Sequence, residues 1–368
     1  MEKQSRIAFI WVIIITAFVF SGSLKLDWTN WDDNLYVYEN HLVKEGTLKE
    51  IFTPPANPAA NNTYSPLVIS SFALEWKIGK GKPFLYHLDN LILHLLCTAL
   101  AWFFFRAMGL SVWWSGFAAL LFGIHPMRVE SVAWITERKD LFYAFFYLAS
   151  LLAYIRYLAS EKTLPLFLAF VFFALSLCSK VQAITLPFVL ILLDWYFRRR
   201  IGTKAIVEKI LFFAGSLTIG VSFLVGVNFL MNKAGVITFD KIISFLTQTI
   251  LSVYACTVYL IKVFIPYSTS PLYPPPASLQ VWQWLIAAIS FIVLIGALAV
   301  RRHYRYVTFG ILFFTFNILL LPFASAVGDS TFANDRYTYV AYIGLFFIMA
   351  MVMQTLSEKY SSLGMPIA

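Results

Sequence analysis

The chain contains 368 residues, of which 60% are hydrophobic and only 13% are charged, and its formal net charge is +9. This composition, with a mean hydropathy of +0.74, excludes a soluble domain with a polar shell. Apolar runs of about 18 residues predict an all-α, polytopic membrane protein, because the strands of a membrane barrel are shorter and alternate. The basic residues lie beside apolar runs, where the rule that positive residues stay on the inner side of the membrane explains their positions better than nucleic-acid binding does. We therefore expect no nucleic-acid partner.

The first apolar run covers residues 7–20 and follows Lys3 and Arg6. A cleaved signal peptide has a similar pattern, but a polytopic chain needs a first span to fix its orientation, so we expect a retained helix whose amino terminus lies inside. The segment at about 25–86 is then a long first outer loop. Its prolines and asparagines predict short interfacial helices joined by extended turns.

The apolar runs predict a single membrane domain over residues 1–368 that crosses the membrane roughly ten times. The expected spans lie at 7–20, 88–105, 112–124, 141–158, 164–178, 183–197, 207–230, 281–300, 306–323 and 338–356. Arg198–Arg200 mark the inner side. Segment 241–266 is long enough to cross the membrane. Crossing would place the basic residues at 301–305 outside, against the rule that positive residues lie inside, so we predict a re-entrant or interfacial helix. Both termini then lie inside, with a short cytoplasmic tail at about 357–368.

Acidic, basic and histidine side chains collect at the span ends that face outside. Asp32 and Asp33 follow the first span between Trp31 and Tyr36. A carboxylate placed there can act as a general base on a hydroxyl group, whereas a solvated turn is the alternative for such a pair. The surrounding charges favour catalysis, because a charge at membrane depth costs about 2.5–3.5 kcal/mol and is usually paired or functional.

Cations from distant parts of the sequence meet at the same outer rim. They are Arg138, Lys139, Lys180 and Arg336. Such cations suit the phosphate of a lipid-linked sugar, whose negative charge grows as the sugar departs. Snorkelling toward lipid headgroups is the alternative. Lys180 is the strongest candidate of the four for a functional role, because it lies in a short turn between two apolar segments.

Other polar residues at this rim are expected to support the site. They are His125, Arg128, Glu130, Asp140, Asp335 and Tyr337. His87, Asn90 and His94 share one face of the second span. A zinc site there would lack an acidic ligand, and hydrogen bonding between helices is the preferred interpretation. We therefore expect neither a metal nor another cofactor.

Five blocks of sequence carry a family resemblance. They read NWDDNLYV at 30–37, YHLDNLILH at 86–94, HPMRVESVAWITERKD at 125–140, LPFVLILLD at 186–194 and DRYTY at 335–339. In this order they resemble the membrane domain of the transmembrane and tetratricopeptide-repeat O-mannosyltransferases and their bacterial relatives. The blocks extend over nearly the whole chain, so the resemblance is more specific than any one motif.

The resemblance implies a GT-C glycosyltransferase fold and a polyprenyl-phosphate sugar as donor, with a mannose-like hexose favoured. It implies that Asp32 or Asp33 activates the acceptor hydroxyl and that Arg138, Lys139, Lys180 and Arg336 hold the donor phosphate. Inverting transfer is expected, at the extracytoplasmic side of a membrane that we expect to be the bacterial cytoplasmic one. Membrane lipids, the donor and a hydroxyl acceptor on a protein, glycan or lipid are the expected partners.

The sequence departs from the family at three points. Ser65 precedes Pro66 where the family often has histidine, and Val181 follows Lys180 where the family often has proline. No tetratricopeptide repeats follow the last span, which favours an acceptor other than the one such repeats would recruit. A flippase or other transporter of lipid-linked glycans and a non-catalytic membrane scaffold are the alternative functions.

Overall fold

The computed structural model describes residues 3–53, 65–200, 202–231, 239–274, 280–319 and 333–362, and the side chains among these outside 223–250, 319 and 361–362. These described residues form α-helices and short helical turns, with one isolated bridge between Tyr273 and Ala333 and no strand. The expected all-α fold is therefore confirmed.

Fifteen α-helices follow one another along the described residues. They are α1 (Lys3–Phe20), α2 (His41–Lys44), α3 (Leu48–Phe52), α4 (Pro66–Gly79), α5 (Pro83–Ala107), α6 (Val112–Ile124), α7 (Val129–Ala133), α8 (Arg138–Ser160), α9 (Thr163–Leu177), α10 (Leu186–Tyr196), α11 (Thr203–Met231), α12 (Phe239–Lys262), α13 (Val281–Ala299), α14 (Arg305–Leu319) and α15 (Thr338–Ser362). Short 3₁₀ turns lie at Ser21–Lys25, Pro126–Arg128, Ile135–Glu137, Val181–Thr185 and Asp335–Tyr337, and a π turn lies at Asn34–Tyr38.

Six of the described helical segments are long and apolar enough to cross a membrane, which makes the chain an integral membrane protein. They are Lys3–Lys25, Pro83–Ala107, Ile135–Ser160, Thr203–Ser222, Val281–Ala299 and Asp335–Tyr360. Shorter apolar helices lie at Val112–Ile124, Thr163–Leu177, Val181–Tyr196, Leu251–Lys262 and Arg305–Ile318. Every predicted span overlaps one of these helices, and the helix at Leu251–Lys262 is the segment predicted to be re-entrant.

The bundle core depends on close approach between antiparallel helices. At Gly310 of α14, an added Cβ would lie 2.4 Å from the carbonyl oxygen of Gly344 on α15. Small residues let two helix backbones approach in this way, so side chains on either side can interdigitate. Phe309 packs edge-on against Phe347 next to this contact, with ring centroids 5.7 Å apart.

The segment predicted to be the first outer loop contains short helices, as expected, and they form a small helical cap. Helices α2, α3 and α4 bury a separate apolar cluster that includes Val43, Ile51 and Phe72, and Ile135 from the turn before α8 belongs to the same cluster. The cap therefore lies directly over the amino end of α8. Residues 54–64, which contain most of the prolines of the predicted loop, lie outside the described residues.

Two predicted features near the carboxyl end are only partly described. Helix α15 continues to Ser362, so the first residues of the predicted tail are helical and the others lie outside the described part of the chain. In α12, Tyr254 packs against Trp282 near the start of α13, and Lys262 lies 3.4 Å from Asp335 just before α15. The re-entrant character of 241–266 stays a prediction, because the side chains before Leu251 are not among those described.

Candidate active site

Asp33 joins the first outer loop to the segment before α8. Its side chain is fully buried, and its Oδ2 accepts hydrogen bonds from the backbone N–H of Thr29 at 2.8 Å and from the Thr29 hydroxyl at 2.7 Å. Its Oδ1 accepts from the backbone N–H of Thr136 at 3.1 Å and from the Thr136 hydroxyl. Four donors therefore occupy this carboxylate, which suits a structural role.

Asp32 lies in a different environment from its neighbour. It is half-buried, and its carboxylate accepts no hydrogen bond from a residue that the structure describes. Burial raises the pKa of Asp32, and the positive charges of Lys139 and Arg336 offset part of that effect. A carboxylate that is partly desolvated, unpaired by hydrogen bonds and close to cations is suited to accept a proton.

Glu137 is the centre of the charged cluster next to Asp32. Its side chain is fully buried, with Oε1 3.1 Å from Nζ of Lys139 and 3.6 Å from Nε of Arg336. Its Oε2 lies 3.6 Å from Nζ of Lys180. The sequence interpretation included Glu137 in a family block but gave it no role in the site, although its position directly before two successive cations at the start of a span was a usable signal.

Two more acids complete the pairing of these cations. Lys180 forms an ion pair with Asp140, whose Oδ2 also accepts a 3.1 Å hydrogen bond from the hydroxyl of Ser131. Arg336 pairs with Glu130 through its guanidinium, and its backbone N–H donates to Glu130 Oε2 at 2.8 Å. Burial raises the pKa of Glu130 to about 7, because lost hydration and the nearby charge of Glu137 outweigh the attraction of Arg336.

The cluster formed by Lys139, Lys180, Arg336, Glu130, Glu137 and Asp140 is called the charged cluster below. It lies at one end of the bundle, where α8 and α15 begin and α9 ends. Between 10% and 14% of each cationic side chain is exposed, so all three reach the protein surface. The ring of Tyr337 lies 5.7 Å from Nζ of Lys180 and 5.2 Å from Cζ of Arg336, which places this predicted residue at the cluster.

Arg138 lies apart from the other three predicted cations. It is fully buried, pairs with Glu75 at 2.6 Å, and donates hydrogen bonds to Oδ1 of Asn90 at 2.7 Å, to the carbonyl of Tyr86 at 2.8 Å and to the hydroxyl of Ser71 at 3.1 Å. These contacts tie α8 to α4 and α5. They use the guanidinium to stabilise the cap and favour a structural role over phosphate binding.

Arg128 is also held inside the bundle. Its guanidinium donates to the carbonyl of Thr338 at 3.1 Å and lies 5.0–5.4 Å from the centroids of three aromatic rings. The rings belong to Phe122, Tyr339 and Tyr342. Cation–π contacts of this kind replace part of the lost hydration of a buried cation, so Arg128 serves to hold the start of α15.

The predicted histidines and Asn90 have structural partners, with one exception. His94 contacts the hydroxyl of Tyr339 at 2.6 Å and the carbonyl of Gly123 at 2.8 Å, as expected for hydrogen bonding between helices. Asn90 donates to the backbone carbonyls between α7 and α8, and His125 contacts the carbonyl of Val263 at 3.2 Å. His87 is the exception, because both ring nitrogens are buried without a hydrogen-bond partner among the described residues.

Asp335 lies beside the charged cluster in a second polar group. Its carboxylate accepts from the hydroxyl of Tyr273 at 2.8 Å and from the backbone N–H of Ser270 at 3.1 Å, and Nζ of Lys262 lies 3.4 Å away. Lys262 and Tyr273 were not predicted as site residues, because neither belongs to a recognisable motif. Their contacts fix the irregular segment after α12 against the start of α15.

Comparison with known proteins supports the resemblance seen in the motifs. The chain is 34% identical over 204 residues to Protein O-mannosyl-transferase TMTC2 of Mus musculus, which corresponds to 52% of this chain and 24% of that relative. It is 29% identical over 166 residues to Protein O-mannosyl-transferase TMTC3 of Homo sapiens, or 42% of this chain and 18% of that relative. For Protein O-mannosyl-transferase Tmtc2 of Drosophila melanogaster the identity is 34% over 149 residues, or 39% of this chain and 16% of that relative.

The similarity to these proteins is distant. The match spans about a quarter of the length of the first of these relatives and less of the others. No model of a known protein family matches the chain, and no solved structure matches it significantly.

Proposed function

We propose that this protein is a membrane glycosyltransferase that moves a sugar from a polyprenyl-phosphate donor to a hydroxyl acceptor on the extracytoplasmic side. A mannose-like hexose is favoured as the sugar, because the similar proteins are named O-mannosyl-transferases. The observation that carries the proposal is the position of Asp32, a half-buried carboxylate without a hydrogen bond from the described residues, close to Lys139 and Arg336.

The proposed reaction is a single displacement with inversion at the anomeric carbon. The acceptor hydroxyl gives its proton to the carboxylate of Asp32 while its oxygen forms a bond to the anomeric carbon. The bond between that carbon and the phosphate oxygen breaks, and the electron pair leaves with polyprenyl phosphate. Asp32 ends protonated and returns its proton to water, so atoms and charge balance.

The exposed parts of Lys139, Lys180 and Arg336 would receive the donor phosphate. Negative charge on the phosphate increases as the bond to the sugar breaks, and cations already fixed at that point stabilise the departing group. Arg336 suits this role because a planar guanidinium can bind two phosphate oxygens at once. The three cations can supply the required charge, so the proposal needs no metal.

The acids of the charged cluster would position these cations. Glu137 contacts all three of them, and a buried carboxylate in that place restricts their side chains to one arrangement. Catalysis benefits from such preorganisation, because charged groups that are already in place need not reorganise during the reaction. Glu137 is thus proposed as a positioning residue and Asp32 as the catalytic base.

The relatives bear on the acceptor, since they are named protein O-mannosyl-transferases. A hydroxyl on a protein side chain is therefore one proposed acceptor for this chain. The sequence interpretation also favoured a glycan or a lipid hydroxyl, and all three acceptor classes fit the reaction written above. The bacterial cytoplasmic membrane is the proposed location.

A transfer assay with the purified protein in lipid nanodiscs tests the proposal. Labelled polyprenyl-phosphate mannose is supplied with peptide, glycan and lipid acceptors to the wild type and to Asp32→Asn. We expect donor-dependent transfer, or slow donor hydrolysis, in the wild type and at least a hundredfold loss in the variant, as removal of a general base commonly causes. The anomeric configuration of the product reports inversion.

Three results would contradict the proposal. Equal donor turnover in wild type and Asp32→Asn would exclude Asp32 as the base. Movement of intact donor across a sealed vesicle membrane without sugar transfer would instead favour the transporter alternative. A protein that neither transfers sugar nor moves lipid in these assays would favour the scaffold.

A further inference from the structure

Two tryptophans outside the membrane spans connect the residue next to the proposed base with the proposed phosphate site. Trp31 directly precedes Asp32 and is 47% exposed. Its ring centroid lies 5.4 Å from that of Trp134, with the ring planes tilted by 40°. The guanidinium carbon of Arg336 lies 5.8 Å from the centroid of Trp134. One aromatic surface thus extends from the residue next to Asp32 to the guanidinium of Arg336.

We propose that Trp31 and Trp134 form the binding surface for the transferred hexose, at the stage when it is still attached to the donor phosphate. This inference rests on the proposed function, because it assigns the sugar-binding part of the same site. It adds the residues that distinguish a sugar-carrying lipid phosphate from the bare lipid phosphate.

The geometry of displacement supports this position. The attacking oxygen, the anomeric carbon and the leaving oxygen lie roughly in line, so the sugar ring lies between the group that receives the proton and the group that binds the phosphate. Asp32 and Arg336 take these two roles in the proposed reaction. A surface that extends from one to the other is therefore placed to contact the sugar rather than the polyprenyl chain or the acceptor.

The chemistry of the surface also fits a hexose. A pyranose ring has a face of C–H groups surrounded by hydroxyls, and an indole face offers a flat apolar area with partial negative charge. Positive charge develops on the ring carbon and oxygen of a glycosyl group during transfer. An aromatic face close to that charge stabilises it by the interaction that holds cations over aromatic rings.

The backbone at Trp134 is held by the bundle. Its carbonyl accepts hydrogen bonds from Nδ2 of Asn90 at 3.3 Å and from the backbone N–H of Glu137 at 3.1 Å. Trp31 packs against the ring of Trp134 and keeps about half of its own surface exposed. Interfacial tryptophans commonly anchor proteins to lipid headgroups, but the contact between Trp134 and Arg336 places this pair at the charged cluster.

Binding of two phosphodiesters that carry the same charge tests the inference. The probes are the methyl ester of polyprenyl phosphate and polyprenyl-phosphate mannose with the same lipid chain, measured with the protein in nanodiscs. We expect the wild type to prefer the mannose-carrying lipid and this preference to fall about tenfold in Trp31→Leu, while the affinity of the variant for the methyl ester stays within twofold of the wild-type value. Trp31→Phe should retain part of the preference, because it keeps an aromatic face.

A matched control comes from Trp113 on α6, which is 65% exposed and belongs to none of the groups described above. Trp113→Leu should leave both affinities unchanged. Trp134→Phe gives a second measurement, on the other ring of the pair, and should lower the preference for the mannose-carrying lipid as Trp31→Phe does.

Three results would overturn the inference. An unchanged preference in Trp31→Leu would remove the tryptophan surface from sugar binding. An equal loss of affinity for both lipids would assign the surface to membrane or lipid-chain contact. A wild type that transfers mannose without preferring the mannose-carrying lipid would contradict the sugar-binding surface while leaving the proposed function intact, and a wild type that transfers nothing would contradict the proposed function itself.

Discussion

The backbone N–H of Thr136 donates a 3.1 Å hydrogen bond to Oδ1 of Asp33, across 103 positions of sequence. With the bonds from Thr29 to the other carboxylate oxygen, it fixes the turn that carries Asp32 against the segment between α7 and α8. The proposed base thereby keeps a constant position relative to Lys139, the second residue of α8. In the proposed mechanism, Asp33 supports the site and Asp32 is its reactive group.

We expect Asp33→Asn to destabilise the protein by about 1–3 kcal/mol, because an amide group cannot accept all of the hydrogen bonds that reach this buried carboxylate. The unfolding temperature in detergent should fall clearly below that of the wild type. Asp32→Asn is the matched control and should unfold at the wild-type temperature. A stable Asp33→Asn together with an unstable Asp32→Asn would reverse the two assignments.

The pH dependence of transfer should report Asp32. A general base works only when it is deprotonated, and burial raises the pKa of Asp32 above its ordinary value. We therefore expect kcat at saturating donor, which excludes the pH dependence of donor binding, to fall as the pH is lowered, with the midpoint of the fall above the ordinary aspartate value of about 3.9. Steady-state rates between pH 4 and 8 measure it, and a midpoint at or below the ordinary value would contradict this environment for the base.

Much of the fold was predictable from the sequence, because long apolar runs can satisfy their backbone hydrogen bonds in a membrane only as helices. The meeting of Lys139, Lys180 and Arg336 was also predictable, since each lies at the same end of a span. The distinction between Asp32 and Asp33 was not predictable. It depends on which carboxylate turns toward Thr29 and Thr136, and an irregular turn has no periodicity that fixes this direction.

Arg138 shows a second limit of sequence interpretation. Arg138 and Lys139 are successive residues, so their side chains point about 100° apart around α8. One reaches Glu75 under the cap and the other reaches Glu137 in the charged cluster. Sequence places both at the same rim, but only the packing of the cap decides which of them is exposed.

This difference predicts separate effects for two arginines. Burial raises the pKa of Glu75 to about 9, so this carboxyl is mostly protonated near neutral pH and Arg138→Ala leaves no unpaired carboxylate behind. The variant loses the hydrogen bonds to Asn90, Tyr86 and Ser71 and should be less stable by about 1–3 kcal/mol, while the protein that remains folded binds polyprenyl-phosphate mannose normally. Arg336→Lys should instead weaken donor binding, because lysine cannot bind two phosphate oxygens as a planar fork does. Thermal unfolding and donor titration of both variants separate the effects. Weak donor binding by folded Arg138→Ala would return Arg138 to the phosphate site.

Donor binding should also respond to protonation of Glu130. Below its pKa of about 7 the carboxyl becomes neutral, and Arg336 then loses the nearer of its two ionised partners and keeps only Glu137 at 3.6 Å, which makes its guanidinium more available to the donor phosphate. The donor is a phosphodiester and keeps one negative charge over this range, so its affinity should rise as pH falls from 8 to 6, by at most about tenfold per pH unit. Glu130→Gln should bind more tightly at pH 8 and show little pH dependence. A wild-type affinity that is constant over this range would contradict the link.

A buried ion pair away from the charged cluster tests whether the remaining intramembrane charges are structural. On α10, at the end farther from Lys180, Oδ2 of Asp194 lies 2.5 Å from Nζ of Lys209 on α11, and the hydroxyl of Tyr154 donates to Oδ1 of Asp194 at 2.7 Å. Lys209→Met leaves Asp194 only the more distant Arg199, whose Nη1 lies 3.5 Å from Oδ1, and should cost at most about 3–5 kcal/mol. Asp194→Leu combined with Lys209→Met should recover most of that loss, because Arg199 keeps its ion pair with Glu208. Donor affinity should not change in the double variant, because neither residue belongs to the proposed site. Restored stability with abolished donor turnover would give this pair a direct part in function, as a transporter requires of its intramembrane charges.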